Sequence, residues 1–304
     1  MHRQALVGLL TVGFAWSQQP TEVERVLAVL QTGDPVRDGK GAAELLGPGT
    51  GLDDTILALA RSPRTERVVR LRALRIARLL GLAQRVERGQ HHRDVAWWLA
   101  LDELAHELPD AMRPLLLARC GMDRQALDAA RQELSAASEL ADRFTHDWNE
   151  TRMLDDAHKE ENARYDALEA AMRKAGLAAV PRLLSTLVVP PDIAFSGNES
   201  AHEVTARQQV RSMLALGEML RAKDALPFFV MHGGGPSLTQ SADAGMAIQN
   251  VTGERFGADF MVEGDDESIM AWWVKHMHEH PIVLDYLVQH LVNLAERDYR
   301  TAGA

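Results

Sequence analysis

Apolar residues recur every three or four positions on consecutive segments joined by very short connectors, and this limits what the chain can fold into. The pattern is clearest between about Val204 and Trp273. Val210, Met213, Leu214, Leu216, Gly217 and Leu220 form one apolar stripe at the helical period, with Arg207, Arg211, Glu218 and Arg221 assigned to the other side. Ala222-Lys223-Asp224 is too short to hold another element. Ala225 to Met231 is then continuously apolar except for Pro227, which suits a first helical turn, where its missing N–H would be unpaired anyway. A third helix is expected to end at Gly253. Helices joined this tightly become antiparallel neighbours, and one pair leaves much of its apolar surface wet, so further pairs must stack on it.

Asp224-Ala-Leu-Pro227, following the helix Arg211-Ser-Met-Leu-Ala-Leu-Gly217, resembles the hinge of a HEAT repeat. The run from Ser241 to Phe260 and the segment Met270-Ala-Trp-Trp273 resemble the last repeat of bacterial HEAT-repeat proteins. The likeness is best over residues 204–273. It implies an all-α fold, a HEAT-like α-solenoid that serves as a protein-interaction scaffold. It implies no catalytic residue, cofactor or metal ligand.

Composition agrees with helices. Ala, Leu and Arg dominate and β-branched residues are sparse. A net charge of −10 argues against a nucleic-acid partner. The run from Arg61 to Arg88 is locally basic, and its charges at helical spacing predict a solvated face.

Residues 1–17, MHRQALVGLLTVGFAWS, have the form of a secretory signal peptide, with a short basic start, an apolar run, and Ala15 and Ser17 before a cut at Gln18. The run is too short for a stable membrane anchor. A periplasmic or secreted location is therefore expected, with no anchor left after cleavage.

Residues 18–121 read as N-terminal helical pairs. Thr21 is a candidate N-cap for a helix with Val23, Val26, Leu27 and Leu30 on one face. Leu52–Arg61 pairs with Thr65–Leu80, the second ending at Gly81, and Val95–Leu108 pairs with Ala111–Arg119 across Pro109. Residues 122–175 contain neither Gly nor Pro. Leu127, Leu134, Ala141 and Trp148 are seven apart, and Ala130, Ala137 and Phe144 interleave with them, so a coiled-coil seam is expected. The segment is either one long projecting helix or a hairpin turning near 155–162; the hairpin keeps the seam dry. Residues 176–304 read as HEAT-like repeats. Ala179-Val-Pro181 echoes Ala225-Leu-Pro227, 189–198 is a loop, and a capping helix is expected over 281–300.

The chemical motifs are thin. His232-Gly-Gly-Gly235 matches an oxyanion loop of some α/β-hydrolases, but no Gly-x-Ser-x-Gly elbow or βαβ alternation accompanies it. The alternative of a serine hydrolase using residues 232–235 rests on that loop alone. His276, His278 and His280 would share a face on a strand; on a helix His278 points away, leaving His276 and His280 short of a third ligand. Cys120 is alone and reads as a small buried apolar residue. Trp97-Trp98 and Trp272-Trp273 read as packing anchors, and Glu263 with Asp265-Asp-Glu267 as a solvated acidic loop. The expected function is a non-catalytic scaffold for a protein partner, with no catalytic, cofactor-binding or metal residue assigned.

Overall fold

The structure is a computed structural model and describes residues 21–35, 39, 41–47, 49, 51–107, 113–146, 159–187, 199–233, 238–254 and 266–279. Every regular element among them is helical, and no strand occurs. The signal-peptide segment 1–17, the loop 189–198 and the capping helix expected over 281–300 lie outside the described residues. The chain divides into two compact units, residues 1–78 and 79–304.

The first unit holds α1 (Glu22–Thr32), α2 (Ala42–Leu46), α3 (Asp53–Arg61) and the first half of α4 (Arg67–Gly89). Thr21 caps α1 through a reciprocal box: its hydroxyl accepts from the Glu24 N–H at 3.3 Å, and its own N–H donates to Glu24 Oε2 at 2.8 Å. Val26 and Leu30 are buried, whereas Val23 is exposed. The other buried apolar residues described in this unit are Ala42, Leu45, Leu46, Leu52, Ile56, Ala60, Val69, Ala73 and Ile76. The Arg run is only partly solvated. Arg72 Nη1 donates to the Leu30 carbonyl at 2.6 Å, and Arg75 Nη1 to Asp34 Oδ2 at 2.6 Å. Arg72 holds the C-terminal end of α1, where free carbonyls favour a cation, and Arg75 pairs with a carboxylate two residues beyond it.

α4 does not stop at Gly81 but runs on to Gly89. A mid-helix glycine costs ~1 kcal/mol. The burial of Leu82, Ala83 and Val86 on the far side of Gly81 offsets that cost.

In the second unit, α5 (Val95–Glu107) is capped by Asp94, whose Oδ1 accepts from the Trp97 N–H at 2.8 Å. Trp97 and Trp98 are buried edge to face, and the Trp97 indole N–H donates to the Val86 carbonyl at 2.9 Å. After α6 (Arg113–Arg119) come α7 (Arg124–His146) and α8 (Lys159–Ala175). The described members of the heptad seam, Leu127, Ala130, Leu134, Ala137, Ala141 and Phe144, are all buried. α7 and α8 pack on each other, with the Phe144 and Tyr165 rings 6.4 Å apart. In one continuous helix those residues would stand ~31 Å apart, so the segment is two helices. α7 also packs against α5 and later helices, so its seam is sealed within the unit.

A 3₁₀ turn, Gly176–Ala179, leads into α9 (Val180–Leu187), and a second, Lys223–Ala225, leads into α11 (Leu226–Gly233). Both helices carry Pro at their second position, as the repeated Ala-x-Pro motif implies. Between them α10 (Glu199–Leu214) runs into a π turn, Ala215–Met219. α12 (Leu238–Thr252) packs against α10 and α11, and α13 (Asp266–His276) packs against α11. α12 ends at Gly253, which has φ +76°.

Candidate interaction surface

Two features of the described residues are built from arginine at helical spacing, and they differ in where the charge goes. The first is internal. Arg211, expected on the polar side of its helix, is only 3% exposed. Its Nη1 donates to the Phe144 carbonyl at 2.6 Å, in the last turn of α7. The guanidinium lies 5.2 Å from the Phe144 ring centre and 5.7 Å from that of Tyr165. A planar cation over two neighbouring aromatic rings, with a carbonyl at its edge, is a well-matched environment. Arg211 thus joins α10 to both helices of the α7–α8 pair. Its neighbour Ser212 is fully buried, and its hydroxyl has no hydrogen-bond partner among the described residues.

The second feature is a surface. α4 buries Val69, Ala73 and Ile76 on one side. On the opposite side Val68, Leu71 and Leu74 are 47%, 55% and 46% exposed. An Arg precedes each by four positions: Arg64, Arg67 and Arg70. In the helix this spacing sets Arg67 beside Leu71 and Arg70 beside Leu74. The signal for this surface is present in the sequence, because residues 68–80 are apolar around more than half the helix, and such a helix has more apolar surface than one core face consumes.

The chemical candidates fall elsewhere. His232 lies in the last turn of α11, and residues 234–237, most of its glycine loop, are outside the described residues. His276 ends α13; its ring stacks on Trp272 at 4.5 Å, and its Nδ1 is 3.0 Å from Glu279 Oε1. His278 is exposed in the following 3₁₀ turn, and His280 lies outside the described residues. No group of three or more His, Cys, Asp or Glu among the described residues is placed to hold a metal ion. Asp266 and Glu267 fall in the first turn of α13, and Glu263 and Asp265 lie outside the described residues. Cys120 is buried, and burial, with the Glu87 carboxylate adding to it, pushes its thiol up to about 12. An open cleft of about 380 Å³ beside α1 is lined by Glu24, Arg25, Ala28, Val29 and Glu44, among others. Its carboxylates are already engaged, Glu24 in the Thr21 box and Glu44 with Arg25 at 3.5 Å.

No helix among the described residues is long and apolar enough to cross a membrane. The chain matches no known protein family, no curated protein and no solved structure.

Proposed function

We propose that the chain is a non-catalytic helical scaffold of HEAT-like pairs that binds a protein partner in the periplasm or outside the cell. The observation that carries this reading is the solvent-facing Val68–Leu71–Leu74 stripe, apolar surface held on a helix whose other side is already packed. The repeated 3₁₀-turn-then-Pro entry of α9 and α11 supports a repeat architecture. Residues 1–17 supply the export signal in this reading.

The hydrolase alternative at His232 calls for a central sheet, and every described element is a helix. The metal alternative at His276 calls for further ligands, and the imidazole instead contacts Trp272 and Glu279.

Affinity capture with the full chain from a native extract tests the scaffold. A single protein retained at near-equal amounts is the expected result. If nothing is retained, or if the purified chain cleaves an ester and His232→Ala abolishes that, the scaffold reading is wrong. Mass spectrometry of the exported chain should place its first residue at Gln18.

A further inference from the structure

We infer that the outer face of α4 is a seat for an acidic amphipathic helix of the partner protein, an inference that rests on the scaffold reading and names the chemistry of the partner. Val68, Leu71 and Leu74 form a ridge at spacing three, rising ~9 Å along the helix, which is the contact length of about two turns of a partner helix. α4 carries seven Arg against one Glu, in a chain whose net charge is −10. The basic charge is therefore concentrated on this helix against the balance of the whole molecule.

The arginines of α4 divide by direction. Arg72 and Arg75 turn toward α1 and are engaged there. Arg67 and Arg70, beside the apolar ridge, and Arg64, in the turn before the helix, have no carboxylate partner among the described residues. A ridge of aliphatic side chains rimmed by open guanidinium groups complements a helix with Leu-type residues on one face and Glu or Asp on its flanks. Each fork can take a carboxylate in two parallel hydrogen bonds. Electrostatic complementarity of this kind speeds encounter and fixes register.

An anionic lipid surface fits less well. The ridge has no Trp or Phe to anchor at a lipid interface, and the opposite face of α4 is locked into its own core.

The test uses the full chain with a fluorescent amphipathic peptide of about 14 residues, Leu on one face and Glu on its flanks. A peptide with Lys in place of Glu is the control, and vesicles of phosphatidylglycerol or phosphatidylcholine are the competing surfaces. The Glu peptide is expected to bind saturably, weaken as salt rises, and outcompete the Lys peptide. Leu71→Ser/Leu74→Ser and Arg67→Gln/Arg70→Gln are each expected to weaken it about tenfold or more. Arg67, Leu71 and Leu74 are exposed and Arg70 is half-buried, and unchanged thermal melts will certify the variants. Equal binding of the two peptides, no binding of the Glu peptide, or full binding by either variant overturns the inference. So does preferential binding of phosphatidylglycerol vesicles that the Arg67→Gln/Arg70→Gln variant loses. A natural partner still captured by both variants overturns it while leaving the scaffold reading intact.

Discussion

The two units use the same residue for the same task under different degrees of burial. In the first, Arg72 of α4 reaches the carbonyl of Leu30 in the last turn of α1. In the second, Arg211 of α10 reaches the carbonyl of Phe144 in the last turn of α7. Both contacts are 2.6 Å, and both place a cation at the negative end of a helix dipole. Arg72 is part-exposed, so water replaces much of what its loss would remove. Arg211 is buried against Phe144 and Tyr165, so its loss leaves a carbonyl without its donor and a void beside the rings. The lesson is that the weight of a helix-capping arginine is set by what surrounds the guanidinium, and not by the bond length.

The sharpest way to break this comparison is Arg211→Ala. It is expected to cost ~3 kcal/mol, combining a lost charge-assisted hydrogen bond with unfilled volume. Urea unfolding followed by circular dichroism reads the change, and a cost under ~1 kcal/mol would equate the two arginines. Gly217→Ala comes next. A Cβ there would stand 2.8 Å from Ala247 Cβ and 2.9 Å from its Cα, so the π turn and α12 must separate. The expected cost is ~2 kcal/mol, again from the urea midpoint. Arg72→Ala should cost ~1 kcal/mol, and the loss should shrink at high salt, where that of Arg211→Ala should not.

Two smaller changes act in the opposite direction. Arg221 sits at φ +48° just beyond the π turn, a conformation that glycine adopts without penalty. Arg221→Gly should raise stability by ~0.5–1 kcal/mol, seen as a higher melting temperature. Ser212→Ala removes a buried hydroxyl that makes no hydrogen bond among the described residues, and should be neutral or slightly stabilising in the same assay. A measurable loss there would reveal a contact of the Ser212 hydroxyl.

Much of the helical layout was legible beforehand because it depends on local rules. The Thr21 N-cap, the six described seam positions of α7, the Pro entries of α9 and α11 and the Gly253 stop each follow from spacing or backbone conformation within a few residues. The fate of the arginines was not legible in the same way. Arg67, Arg70, Arg72, Arg75 and Arg211 are alike in sequence context, each set among aliphatic residues at helical spacing. Which of them points at water, a carboxylate or a helix end depends on segments 40 or more residues away, as with the 67-residue separation of Arg211 and Phe144. The run of α4 through Gly81 is non-local in the same way, since burial beyond the glycine outweighs its local cost.

The sequence by itself determined that the chain forms helices and where several of them begin and end, because period, capping and proline geometry act over one or two turns. Only the tertiary structure decided which charges are enclosed and which apolar residues of α4 stay wet, because burial is a property of neighbours that the chain brings back from far along its length.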